Sequence, residues 1–262
     1  TLTFIEAPML HWPDTMMTYI DTEQILFSND VFGQHFASES LYDDCVDDYE
    51  VFYEAKKYYA NIINTYSNMA IRKLKELKDM NLPIKLICPS HGIIWKKNLD
   101  RIIDLYFQWA NTYQENQISI IYDTMWQSTR LMAESIAEGI LKADPSVTVK
   151  LFNAAHEDKN DILTEVFLSK AVLVGSPTIN YGYSYAIAGI LEMARGMKLK
   201  NKKAAAFGSY GWSGDAPKLI SEHLKESGFE LVNDGIKMLW VPDETSLLAC
   251  IEYGKDFALQ TK

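Results

Sequence analysis

From Ile118 onward the chain repeats one pattern: a short, nearly unbroken apolar run, then a longer stretch with apolar residues at helical spacing. The short runs are Ile118–Tyr122, Val147–Phe152, Ala171–Val174, Ala204–Phe207 and Met238–Val241. The helical stretches are Thr129–Ala143, a segment near Ile162–Phe167, Tyr185–Arg195, Ala216–Ser227 and 245–259. Strands that are apolar on both faces need helices packed on both sides, and a helix after each strand supplies them. The pattern therefore predicts a doubly wound parallel α/β sheet, with ligands expected outside the carboxyl ends of its strands.

The first part of the chain follows a different rule. Residues 1–6 and 24–28 read as strands, and Lys85–Cys88 as a short buried one. The stretch from about Ser40 to Met80 has helical spacing and is closed by Asn81-Leu-Pro83; residues 99–113 form an amphipathic helix. The polar segment Gln114-Glu-Asn-Gln117 reads as a junction, which divides the chain into domains 1–115 and 116–262. A net charge of −10 argues against a nucleic-acid partner, whose phosphates need a basic surface. No apolar run reaches membrane-spanning length. The three cysteines form no CxxC pair, which excludes a rubredoxin-like iron site or a zinc ribbon; they read as reduced thiols of a cytoplasmic protein. The acidic run Glu39, Asp43, Asp44, Asp47, Asp48, Glu50 and Glu54 contains no base and reads as a solvated face.

Three loops at strand ends in the second half carry hydroxyls, glycines and aromatics. In the first, Asp123-Thr-Met-Trp-Gln-Ser-Thr129, the hydroxyls of Thr124, Ser128 and Thr129 and the amides of the following helix suit a phosphate. It has no GxxxxGK[ST] lysine, so a nucleoside triphosphate is not expected. The second is Gly175-Ser-Pro-Thr-Ile-Asn-Tyr-Gly-Tyr183 and the third Gly208-Ser-Tyr-Gly-Trp-Ser-Gly214. Glycine lets backbone approach a flat ring, and Tyr or Trp can stack on it, so the three loops together fit FMN. Any one of them is also ordinary turn chemistry. In the first half, His11 in LHWPD, Asp30 in FSND and His91 in PSHG stand where apolar runs give way to loops. Imidazole and carboxylate in this combination suit zinc or iron. Each residue alone also admits a structural role: a packed imidazole beside Trp12, a turn cap at Asp30, a loop residue at His91.

The second half resembles the flavodoxin-like domain of the flavodiiron proteins, through Tyr-Asp-Thr-Met-Trp with Ser128-Thr129, Gly-Ser-Pro-Thr-Ile-Asn and Phe-Gly-Ser-Tyr-Gly-Trp-Ser-Gly. Asp215 stands where a second small residue is expected. The first half resembles the metallo-β-lactamase-like domain of the same family, through Ala-Pro-Met-Leu-His-Trp-Pro-Asp, Leu-Phe-Ser-Asn-Asp-Val-Phe-Gly-Gln-His and Pro-Ser-His-Gly-Ile-Ile-Trp. The order matches, as do the separations of 19 residues from His11 to Asp30 and 61 from Asp30 to His91.

The resemblance implies part of an αββα sandwich followed by a flavodoxin-like sheet. It implies FMN held by Thr124, Met125, Trp126, Gln127, Ser128 and Thr129 in the first loop. The second loop would add Ser176, Pro177, Thr178, Ile179, Asn180, Tyr181 and Gly182, and the third Ser209, Tyr210, Gly211, Trp212, Ser213 and Gly214. It implies two irons, one on His11 and one on His91, bridged by Asp30, with His35 beside the ligands rather than among them. No catalytic side chain is implied beyond the metal centre. Trp12, Phe32 and Tyr19 are candidates for the site lining or the core, and His156 and His223 read as surface residues. The H-x-E-x-D-H string that supplies the family's other ligands does not occur here. Those ligands are expected from an upstream segment, on a separate chain or lacking from this sequence, because the chain starts without Met and already in a strand. The implied activity passes electrons from a small rubredoxin-like donor through FMN to a diiron centre that reduces dioxygen to water, nitric oxide to nitrous oxide, or both. A head-to-tail homodimer or dimer of dimers is the implied assembly. Two other readings are a flavodoxin-like electron carrier with an inert partner domain and a zinc hydrolase of the metallo-β-lactamase class.

Overall fold

The computed structural model describes residues 1–262 and divides into two compact units, Thr1–Tyr113 and Gln114–Lys262. In the first unit, alternation of inward and outward residues builds a four-stranded sheet from β1 (Leu2–Glu6), β2 (Met16–Ile20), β3 (Ile25–Asn29) and β4 (Leu86–Pro89). The strands lie in sequence order; β1–β2 and β2–β3 are antiparallel and β3–β4 is parallel. Hence β1, β3 and β4 all point the same way and their carboxyl ends share one edge. β2 is an element the sequence reading lacked: Met16-Met17-Thr-Tyr-Ile has apolar residues on both faces, so it shows no alternation.

Ile5, Met17, Tyr19, Leu26 and Ile87 are buried on one side of this sheet. The other side is open and apolar, with Leu2 53%, Phe4 60%, Met16 43% and Phe27 45% exposed. The helical stretch is less regular than its spacing suggests. It consists of α1 (Asp48–Tyr58), a π turn over Tyr59–Ile63, a 3-10 turn over Asn64–Tyr66 and α2 (Ser67–Asp79); residues 46 and 47 are not helical. Asp47 caps α1 by accepting from the Glu50 amide at 3.0 Å. The π turn buries Tyr59 edge-on against Tyr106 of α3 (Leu99–Ala110), ring centroids 5.0 Å apart. No Pro or Gly marks the break, so tertiary packing decides it.

The acidic run is not a simple solvated face. Asp43 is fully buried, and its carboxylate accepts backbone amides from Lys96 (2.7 Å), Lys97 (2.9 Å) and Asn98 (2.8 Å). Three donors aimed at one carboxylate compensate its desolvation. Asp44 pairs with Lys96 at 2.8 Å, and Asp48 with Lys97 at 3.5 Å and Arg101 at 3.6 Å. The compensating bases lie some fifty residues downstream, beyond the reach of a local charge count.

The second unit adds β5 (Glu115–Tyr122), β6 (Thr148–Asn153), β7 (Ser169–Gly175), β8 (Lys203–Tyr210), the two-residue β9 (Glu230–Leu231) and β10 (Ile236–Leu239). All pair in parallel, in the order β10-β8-β7-β5-β6 with β9 beside β8. The chain steps from β5 out to β6, returns across β5 to β7 and continues outward. This is the flavodoxin-like order, with its crevice at the carboxyl ends of β5 and β7. β5 takes in the polar residues Glu115, Asn116 and Gln117. Gln117 is tolerated inside because its amide donates to Glu165 Oε2 at 2.8 Å and Ser169 Oγ at 3.1 Å.

One sheet face, with Ile118, Ile120, Leu173, Ala205 and Phe207, packs on α4 (Ser128–Ala143) and α8 (Glu244–Gln260) through Met132, Ile136, Ile140 and Phe257. The other face is covered by α5 (Lys159–Leu168), α6 (Tyr185–Met197) and α7 (Ala216–Glu226). Three of these helices start on side-chain caps: Asp158 for α5, Ser184 for α6 and Asp243 for α8.

Asp43→Ala is expected to lower the stability of the first unit by about 2 kcal/mol, because three partly buried amides lose a charged acceptor. Thermal and urea denaturation of the intact protein will check this.

Candidate functional site

Asp30 directly follows β3, and His91 follows β4 by two residues. Parallel pairing of these strands sets Phe27 beside Cys88 and Asn29 beside Pro89, so two residues 61 apart in sequence become neighbours. The loops are then tied together. The Ser90 amide donates to the Asn29 carbonyl at 2.8 Å, Ser90 Oγ to Asn29 Oδ1 at 3.1 Å, and the Gln34 amide to the His91 carbonyl at 3.3 Å. Buried Gln34 clamps the far side of the His91 loop with both ends of its amide: Nε2 donates to the Ile93 carbonyl and Oε1 accepts from the Ile93 amide. His11 arrives from the loop between β1 and β2, held by Ala7 to Thr15 at 2.9 Å and Met9 to Trp12 at 2.7 Å.

The three side chains converge. His91 Nε2 is 3.2 Å from Asp30 Oδ1, and His11 Nε2 is 3.8 Å from Asp30 Oδ2. Each imidazole therefore faces its own carboxylate oxygen. Asp30 is 3% exposed, and its Oδ2 has no hydrogen-bond partner, an unusual state for a buried carboxylate oxygen. A cation would supply the missing partner. No group of three or more His, Cys, Asp or Glu side chains surrounds a single metal position. The arrangement is a carboxylate shared between two imidazoles, with one nitrogen for each of two cations. Tyr58, the last residue of α1, donates its hydroxyl to Asp30 Oδ1 at 3.5 Å; burial and the Asp30 charge push its phenol well above the ordinary value, so it stays protonated. The His35 ring lies 5.6 Å from His91 and edge-on to Tyr58 at 4.9 Å, at the rim of the group. Trp12 is 60% exposed with its ring 5.4 Å from His11, whereas Phe32 and Tyr19 are core residues.

In the second unit the three loops meet around a cavity of about 460 Å3 at the carboxyl edge of the sheet. The first loop contributes Met125, Trp126 and Ser128; the second Pro177, Thr178, Ile179 and Asn180; the third Ser209, Tyr210, Gly211 and Trp212. Gln127, in the left-handed region at φ 69°, turns the chain into α4 without a side-chain cap, leaving the first amides of that helix for an anion. The Thr124 and Ser213 hydroxyls are buried without partners, as expected of groups that meet a polar ligand. Thr129 is fully buried and its hydroxyl is 2.9 Å from Ser209 Oγ, so it braces the first loop against the third. Ser176 likewise ties the second loop to Ser184, whose amide donates to Ser176 Oγ at 2.9 Å. Tyr181, in the turn of the second loop, Gly182, which closes that turn by pairing with Ile179, and Gly214, at the end of the third loop, lie outside the cavity lining. The size and the apolar rim suit a flat aromatic cofactor with a phosphate tail.

Three site features escaped the sequence reading. Trp240 and Val241, just after β10, line the cavity as a fourth loop; the Trp240 amide donates to the Tyr210 carbonyl at 2.8 Å. The strand read through to Val241 ends at Leu239, because Trp240 turns left-handed at φ 57°. Tyr58 carries no motif and is brought to Asp30 only where α1 meets the π turn. His223 is not a solvated surface residue: its side chain is 23% exposed and Nδ1 lies 3.0 Å from the Tyr183 hydroxyl. His156 is exposed, as read.

Comparisons with known proteins agree on both units. Residues 120–254 match the Flavodoxin family model and residues 1–92 the model of the ODP family beta lactamase. The chain is 48% identical over 259 residues to the anaerobic nitric oxide reductase flavorubredoxin of Escherichia coli K12, covering 99% of this chain and 54% of that protein. Among solved structures it matches the rubredoxin oxygen:oxidoreductase of Desulfovibrio gigas with a TM-score of 0.94 at 33% identity, covering 99% of this chain and 65% of that one. It matches the flavodiiron protein of Giardia intestinalis with a TM-score of 0.92 at 30% identity, covering 99% and 64%. The chain thus spans about half the length of the curated relatives it matches.

Gly92, next to His91, has φ +83°, and a Cβ there would lie 1.4 Å from Gln34 Oε1 and 2.4 Å from the Gln34 carbonyl oxygen. Gly92→Ala is therefore expected to break the Gln34 clamp and lower bound metal per chain without changing the flavin site. Metal analysis beside the visible spectrum will check this.

Proposed function

Because this chain belongs to the flavodiiron proteins, whose beta-lactamase-like and flavodoxin-like units it carries in that order, we propose that it is the FMN-binding and iron-binding part of an oxygen or nitric oxide reductase. FMN bound there would supply the relay for electrons from a small rubredoxin-like donor, and a non-haem diiron centre would supply the chemistry that reduces dioxygen to water, nitric oxide to nitrous oxide, or both. The observation that carries this reading is the buried Asp30 carboxylate with a separate imidazole facing each oxygen, one of them orphaned.

His11 and His91 would each give one nitrogen to a different iron, and Asp30 would bridge the two. Burial of Asp30 strengthens its hold on cations by excluding competing water. Protonated Tyr58 helps to orient the carboxylate by donating to Oδ1, the oxygen that faces His91. In the second unit the uncapped start of α4, with Thr124 and Ser128, would hold the phosphate, and Trp126, Trp212 and Trp240 would flank the ring.

The open apolar face of the β1–β4 sheet is a surface on which a further layer of an αββα sandwich would sit. That layer would bring the remaining iron ligands, from an upstream segment of the same protein or from a separate chain. The exposed rim of the flavin cavity, with Trp126 at 79% and Trp212 at 63%, suits an interface in which one subunit's flavin meets the other's irons. The proposed assembly is accordingly a head-to-tail homodimer or dimer of dimers. No helix is long and apolar enough to cross a membrane, and the proposed location is the cytoplasm.

Two substitutions in the intact protein separate the sites. Asp30→Ala is expected to lose iron and keep FMN. Trp212→Ala is expected to weaken FMN roughly threefold to tenfold through lost ring contact and to keep iron. Equal loss of both cofactors in each variant would overturn the assignment. Consumption of dioxygen and of nitric oxide with the same reduced donor then identifies the preferred gas.

A further inference from the structure

The second flavin loop is built around a two-residue hairpin. Ile179 and Gly182 exchange both backbone hydrogen bonds, at 3.0 and 2.8 Å, across Asn180 (φ 49°) and Tyr181 (φ 63°). Such a hairpin fixes its own shape but not the angle at which it stands on the sheet. Its N-terminal leg is held by the Thr178 amide, which donates to the Ser209 carbonyl at 2.9 Å, and by Thr178 Oγ1, which accepts from the Ala216 amide at the start of α7. The C-terminal leg passes through Tyr183 before reaching Ser184, the cap of α6.

Tyr183 reaches back to the same helix. Its hydroxyl lies 3.0 Å from Nδ1 of His223, two turns along α7 from Ala216. That contact is the one hydrogen bond of the His223 ring: Nε2 is buried, has no hydrogen-bond partner, and lies 3.9 Å from Glu192 Oε2. Burial, helped by Glu226 and Glu192, raises the Tyr183 phenol and keeps it protonated. Thus α7 grips both legs of the hairpin, one with its first amide and the other with His223.

We infer that Tyr183 and His223 act as a pin that fixes the hairpin's angle and so sets how Ile179 and Asn180 meet the flavin ring. The inference rests on the FMN reading of this cavity, which those two residues line. His223 is a positioning residue, since it touches the loop rather than the cofactor. Because the polar backbone beside a flavin influences the relative stability of its oxidised and reduced forms, the pin should register in the flavin potential as well as in affinity.

The test uses the intact protein stripped of flavin and titrated with FMN, with binding followed by quenching of FMN fluorescence and the midpoint potential measured on the reloaded protein. Tyr183→Phe and His223→Ala are each expected to raise the FMN dissociation constant roughly twofold to tenfold, the effect of one hydrogen bond, and to shift the potential in the same direction. The double variant should do no more than either alone. His223→Asn, which keeps a polar atom where Nδ1 stands, should restore binding and potential, and His223→Gln, whose amide lies farther out, should not. Unchanged constants and potential in Tyr183→Phe, or additive losses in the double variant, would overturn the pin while leaving the flavin site intact. Failure of the unmodified protein to bind FMN would instead sink the flavin reading, and the pin with it.

Discussion

The parallel pairing of β3 with β4 is the contact on which the candidate metal site depends. It brings Asp30 and His91 to adjacent carboxyl ends, and the antiparallel turns through β2 bring the end of β1, with His11, to the same edge. Backbone hydrogen bonding therefore sets the coarse position of all three side chains, and short ties between loops set the fine one. The second unit repeats the principle. Its parallel strands deliver their loops to one edge, and the order reversal at β5 and β7 opens the crevice between them.

Two buried carboxylates in the first unit show how site and scaffold differ. Asp43 faces three backbone amides and is fully compensated, so it holds the loop after His91 in place. Asp30 has a phenol and an imidazole at one oxygen and no hydrogen-bond partner at the other. Burying a carboxylate costs several kcal/mol unless its partners are supplied. The first arrangement is structural and the second leaves a place for a cation. The flavin cavity has the same signature, with unpartnered Thr124 and Ser213 hydroxyls beside the fully engaged pair of Thr129 and Ser209.

Much of this was legible in the sequence. The doubly wound sheet followed from apolar runs alternating with helical ones, and three cavity loops followed from glycines and aromatics at strand ends. Features lacking a local pattern were not legible. Trp240 follows the last sheet strand without a glycine or hydroxyl to mark it. Tyr58 is one aromatic among several on a helical face, and its position depends on a π turn that no Pro or Gly announces. His223 sits among polar neighbours on α7, and only the return of the second loop buries it against Tyr183.

The sequence by itself determined the class of each unit, the order of the units and the residue types able to take metal and flavin, because periodicity and ligand chemistry are local properties. The tertiary structure decided which of those residues share a site and what state each is in. Asp30 and Asp43 are both aspartates near turns, and their sequence neighbourhoods do not say that one is satisfied by amides and the other is not. That difference arises from groups some fifty to sixty residues away, brought within about 3 Å by strand pairing and loop closure. Long-range contacts of this kind leave no periodic trace in the chain.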